Sequence, residues 1–178
     1  MQRMTLKGLM MLALCMATLA SCGGGGSLEG GGTSQVNGPS QPTTAVVKIR
    51  TTGTLDPGAK IGGISVTGVL PAGVSVKATP DAYNQSILVT DSGIVIASGV
   101  TGTNAAAFAT YNATDRKVTI QVYDQDGFDT GEFLTVHCGI DAGSTPTAAS
   151  FNLEGFTATD LNGANINTLA PEFRVDLQ

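Results

Sequence analysis

From Ala45 to the end, apolar and polar residues change places at every second position, and the runs are separated by glycine, proline, asparagine and aspartate. Val47, Ile49 and Thr51 alternate with Lys48 and Arg50, and Ile64, Val66, Gly68 and Leu70 share one side of a second run. In Lys117–Tyr123 the inward set is Val118, Ile120 and Val122; in Glu132–Ile140 it is Leu134, Val136, Cys138 and Ile140. A period of two places successive side chains on opposite faces of a pleated strand. Asp56-Pro57-Gly58, Pro71-Ala72-Gly73, Asp91-Ser92-Gly93 and Asn162-Gly163 supply turns. No run after the N-terminal segment combines helical spacing with caps. The expected fold class is therefore all-β, an antiparallel β-sandwich. Ala105–Tyr111 reads as a small-residue strand anchored in the core by Phe108, with Phe151 and Phe173 as further core rings.

The N-terminus follows other rules. Arg3 and Lys7 precede an apolar run from Leu9 to Leu19, and small residues close it at Ala20-Ser21 before Cys22. That order is the mark of a secretory signal peptide. The run is shorter than the roughly 20 residues a spanning helix needs. Leu19-Ala20-Ser21-Cys22 also resembles the bacterial lipoprotein lipobox. The resemblance implies cleavage before Cys22, a diacylglycerol thioether on its sulfur and usually a third acyl chain on the new amino group. Residues 1–21 are then the leader, 22–44 a lipidated Cys22 with a flexible Gly/Ser-rich tether, and 45–178 the folded domain. Gly23-Gly24-Gly25-Gly26 and Gly30-Gly31-Gly32 carry too little apolar surface to offset ordering entropy. No Gly-Lys-Ser/Thr follows them, so they are not a phosphate loop. With Gly23 rather than Asp after the modified Cys, enteric sorting rules by resemblance place the anchor in the outer membrane of a bacterial envelope.

Cleavage takes two of the nine basic residues and leaves seven against 14 acidic ones, a mature net charge of −7. No basic patch remains to bind nucleic acid or anionic lipid, so membrane attachment falls to the acyl chains. Of three cysteines, Cys15 leaves with the leader and Cys22 is the lipid site. Cys138 remains alone on an apolar strand face, where a small core residue is the ordinary reading.

The stretch from Thr130 to Ile166 resembles the C-terminal half of cohesin domains and related carbohydrate-binding modules. Gly131-Glu132-Phe133-Leu134-Thr135-Val136, then Asp141–Thr147 and Phe151-Asn152-Leu153, then Asp160-Leu161-Asn162-Gly163-Ala164-Asn165-Ile166 carry the likeness. Ile61–Val66 and Leu70–Val74 fit the opening strands less specifically. The resemblance covers roughly Ala45 to Leu177. It implies a nine-stranded jelly-roll sandwich with a flat face for dockerins in cohesins or for glycans in the modules. The chain departs from the glycan binders in having no Trp and only Tyr83, Tyr111 and Tyr123 to display.

Two constellations invite chemistry. Asp124, Asp126, Asp129 and Glu132 fall within nine positions and form a candidate calcium loop, since Ca²⁺ takes six to eight oxygens. The alternative is a solvated loop between strands, because Asp129 stands where an EF-hand turn needs glycine. His137 and Cys138 are neighbours on one strand and point to opposite faces, so they cannot form a nucleophilic dyad. No serine-hydrolase elbow is present, and no carboxylate pair is singled out; no catalytic residue is assigned.

Three readings follow. One is a non-catalytic lipoprotein domain binding a protein, dockerin-like or other, through outward Thr119, Gln121, Phe133, Thr135 and His137. The second is a carbohydrate-binding module at the cell surface, and the third a hydrolase with an acidic site. The anchor generates its own test: Cys22→Ala should move the protein from the membrane pellet to the soluble fraction, and unchanged pelleting would contradict lipid attachment there.

Overall fold

The structure, a computed structural model, describes residues 40–78, 86–88 and 93–178. The leader, Cys22, most of the tether and Tyr83 lie outside the described residues. Ten strands account for most of the rest: β1 Thr44–Gly53, β2 Ile61–Val69, β3 Val74–Ser75, β4 Ser86–Leu88 and β5 Val95–Ala97, then β6 Ala106–Asn112, β7 Lys117–Phe128, β8 Glu132–Ile140, β9 Asn152–Asp160 and β10 Leu169–Leu177. A single 3-10 turn, Ala148–Ser150, interrupts them.

They form two antiparallel sheets. One runs β10-β1-β8-β3, with β5 also on β8; the other runs β4-β6-β7-β2-β9. Among the described residues only β6 and β7 are consecutive strands paired within one sheet; every other step between described strands passes to the opposite sheet. This crossing pattern is the jelly-roll sandwich that the family resemblance implies, with ten strands among the described residues in place of nine. Between the sheets lie Ala45, Val47 and Ile49 of β1, Ile64 and Val66 of β2, and Val118, Ile120 and Val122 of β7. Leu134, Val136, Cys138 and Ile140 of β8 complete the inward set expected for that strand, all buried.

Three local results differ from the expected alternation. The first is at Phe133, expected outward and found fully buried. Ile49 pairs with Leu134 while Arg50 pairs with Glu132, so Phe133 is the extra residue of a β-bulge. A bulge turns two consecutive side chains toward one side. Phe133 joins Leu134 inside and stacks on Phe128, ring centroids 6.4 Å apart.

The second is β7, which does not end at Tyr123 but continues as strand to Phe128. Its alternation persists through Asp124, and Gly127, at φ 67°, bends the strand so that Phe128 re-enters the core. The third is β6, whose faces are reversed. Ala109 and Tyr111 point inward and Phe108 is 57% exposed. The register explains it: Ala107, Ala109 and Tyr111 sit opposite inward Val122, Ile120 and Val118. Alanines face the core where the neighbouring strand already fills it with β-branched side chains. Burial pushes the Tyr111 phenol pKa up.

Truncating Ile120 or Leu134 to Ala should cost about 2–5 kcal/mol and Phe133→Ala about 3–5 kcal/mol. Thr119→Ala and Gln121→Ala, on exposed positions, should stay within about 0.5 kcal/mol. Urea midpoints check all five, and a Phe133→Ala midpoint equal to wild type would contradict the bulge.

Candidate binding face

The outer side of β6-β7-β2-β9 is an almost neutral array set by register. Thr110, Thr119, Thr67 and Glu154 form one row; Phe108, Gln121, Ser65 and Thr157 a second; Ala106, Tyr123, Gly63 and Thr159 a third. Thr67 and Thr119 share a hydroxyl hydrogen bond of 3.2 Å. At the border Lys117 is paired with Glu154.

Two aromatic rings stand out of this polar field. Phe108 and Tyr123 lie 6.5 Å apart, tilted by 56°, and are 57% and 49% exposed. Gly63 is the reason that Tyr123 can lie where it does. A Cβ there would come within 3.2 Å of the Tyr123 ring, so glycine lets the ring settle on the backbone of β2. Shallow depressions flank the pair. One, of about 160 Å³, is bordered by Phe108, Thr110, Thr119 and Gln121. The other, of about 420 Å³, opens beyond Tyr123 among Gln125, Thr159, Asp160 and Leu161, with Asp124 at its inner wall.

The residues expected to form a face are not brought together as one. Thr119 and Gln121 are exposed on this sheet, but β8 belongs to the other sheet. Thr135 and His137 are therefore on the opposite side of the sandwich, where Thr135 is 9% exposed and shares a 3.0 Å hydroxyl bond with Ser98. Phe133 is inside. In exchange the structure presents Phe108, which the sequence reading had put in the core.

The four acidic residues are also dispersed. Asp124 is buried and accepts the backbone N–H of Gly102 at 2.8 Å and of Asp126 at 3.0 Å. Asn104 Nδ2 donates to Asp126, and Lys60 pairs with Asp129 at 2.8 Å. Glu132 lies on the far sheet against Lys48 and Ser98. Among the described residues no three His, Cys, Asp or Glu side chains are grouped to hold a metal ion. The carboxylates of this segment tie down neighbouring backbone and side chains.

The wider depression has two carboxylates on its border, Asp124 and Asp160, the arrangement a hydrolase would need. Both already accept backbone amides. Asp160 holds the turn after β9 by accepting N–H bonds from Ala164 and Asn162, 2.8 Å each, and these hold its pKa below the usual value. A general acid at neutral pH needs the reverse shift. Burial pushes the Cys138 thiol up to about 12, away from the thiolate form in which a cysteine reacts.

The site so defined is a polar sheet face carrying an exposed aromatic pair, on a two-sheet β-sandwich. No family model matches this chain, and no curated protein matches it. A solved structure with a similar course is that of a non-cellulosomal cohesin from the hyperthermophilic archaeon Archaeoglobus fulgidus. It is 15% identical, with a TM-score of 0.47 over 71% of this chain and 75% of that one.

Asp160 sets a pH dependence. Its pKa in the fold lies below the ordinary aspartate value of 3.8 that it has unfolded, so its contribution to stability is complete above that value. The contribution drains away as pH falls through the lowered folded value. Asp160→Asn keeps an acceptor oxygen for the turn but should flatten the acid side of the stability–pH curve, measured by urea unfolding between pH 2 and 5 (roughly the carboxylate range).

Proposed function

We propose that this chain is a non-catalytic, lipid-anchored lipoprotein of the bacterial cell envelope whose β6-β7-β2-β9 face docks a protein partner. The observation that carries the reading is the exposed Phe108–Tyr123 pair on a hydroxyl-rich sheet face. Protein interfaces concentrate their energy in a few aromatic anchors surrounded by polar contacts that exclude water. Thr110, Thr119, Gln121 and Ser65 supply that surround. The anchor rests on Cys22 and its lipobox, and Gly23 favours the outer membrane. By the sequence resemblance a dockerin-like segment is the first partner to try.

A carbohydrate ligand is the second reading, because exposed aromatics also stack on sugar rings. The 56° tilt between the two rings counts against a flat polysaccharide surface, which needs rings in one plane. A protein groove accommodates tilted rings readily.

Replacing Gln121 with a photo-crosslinking residue in living cells should capture a discrete protein species. Phe108→Ala and Tyr123→Ala should each weaken that capture by about 2 kcal/mol in affinity, roughly 30-fold. His137→Ala on the opposite side should leave it intact. Binding to insoluble cellulose or chitin that is lost in Tyr123→Ala would replace the protein reading with the glycan one.

A further inference from the structure

β10 is the outermost strand of its sheet: β1 pairs with it along Leu169–Leu177, and among the described residues no strand pairs with its other side. Which backbone groups are left over can be read from one pair. Thr44 and Gln178 exchange both bonds, N–H to O at 3.0 and 2.9 Å. In an antiparallel pair, bonded and non-bonded positions alternate. The register therefore links β10 to β1 through Ala170, Glu172, Arg174 and Asp176. The N–H and C=O groups of Phe173, Val175 and Leu177 point the other way, toward the open edge.

Such an edge is a template for another strand unless it is blunted, usually by like charge or proline. Here the solvent side carries Glu172, Arg174 and Asp176, alternating in sign, with Arg174 Nε donating to Asp176 at 3.0 Å. Alternating signs do not repel a copy of themselves run in the opposite direction. On the other side Phe173 and Val175 are half-buried and Leu177 is 36% exposed, an apolar fringe at the rim of the core.

We propose that β10 is the interface for a second copy of this chain, two β10 strands pairing antiparallel about a two-fold axis at Val175. Each Val175 then opposes its counterpart, and Phe173 opposes Leu177 of the second copy, so all three outward N–H groups meet a carbonyl. Arg174 faces Asp176 of the second copy, and Asp176 faces Arg174, at non-hydrogen-bonded positions where side chains come closest. Moving the axis to Arg174 would set Arg174 against itself and Glu172 against Asp176. An axis at Phe173 would bring Pro171, which lacks an N–H, into the ladder opposite Val175. The Val175 axis leaves Pro171 beyond the overlap. The pairing is closed and self-complementary, as two-fold interfaces are. It joins two sheets edge to edge and leaves the Phe108–Tyr123 face of both copies free, so a dimer would present two docking faces at once.

Val175→Cys tests the pairing in the full chain at its own membrane. Opposed residues at a bonded antiparallel position lie about 5.5 Å apart at Cα, within disulfide range. A non-reducing gel should show a species of twice the mass that wild type and the surface control Gln121→Cys lack. Adding Arg174→Asp should lower the cross-linked fraction severalfold, and adding Asp176→Arg as well should restore it. No dimer with Val175→Cys, equal cross-linking by Gln121→Cys, or no recovery on the charge swap would each overturn the proposal. Sedimentation of the unmodified detergent-solubilised protein is the second measurement: a dimer is expected, and a monomer at tens of micromolar also overturns it.

Discussion

The apolar seam between the sheets places everything else on the molecule. Ile49, Leu134 and Val136 come from one side, and Ile64, Val66, Ile120 and Val122 from the other, all buried. Because all but one of the successive pairs of described strands lie in different sheets, closing the seam also closes the chain's path. Pairings such as β1 with β10 and β2 with β9 join segments about a hundred residues apart. None of them gains anything until the intervening chain has crossed the core, a late reward for a large loss of entropy. The seam and the topology are thus one constraint. The outer faces inherit their composition from it, since each inward residue fixes which neighbours look out.

How much of this was legible depended on whether a strand keeps its phase. β1, β2 beyond Ile64, the first half of β7 and most of β8 keep it, and their inward sets could be read directly. Phe133 could not, because a bulge is a property of a pair of strands: it exists only where Arg50 meets Glu132. Nor could the side taken by β6. Ala-Ala-Phe-Ala-Thr-Tyr allows either phase, and the more apolar ring, Phe108, suggested the core. The volume already filled by Val118, Ile120 and Val122 decided against it. The candidate face suffered most, because a face is assembled across strands. Thr119 and Gln121 were visible as outward, but not that β8 lies on the far sheet. Phe108 and Tyr123 are 15 positions apart in the chain, and only the register that sets Ala106 beside Tyr123 makes them neighbours.

The carboxylates illustrate the same point from the side of chemistry. Close spacing in sequence suggested shared work for Asp124, Asp126, Asp129 and Glu132. Asp124 and Asp126 lie on β7, Asp129 in the connection after it and Glu132 on β8, in the other sheet. Each ends as a local fastener for Gly102, Asn104, Lys60 or Lys48. The acidic end of the domain holds loops in place, beside an almost neutral sheet face.

The position of β1 has a mechanical consequence. It is the strand at which the chain enters the sandwich, and it is flanked on both sides, by β10 and by β8. A load entering at Thr44 along the strand would act at right angles to two full ladders of backbone bonds. Those bonds would have to slip together, in shear, before β1 could leave; an edge strand peeled from one side would surrender them singly. The chain thus enters the sandwich on a strand held from both sides, one that resists such a load better than an edge strand would.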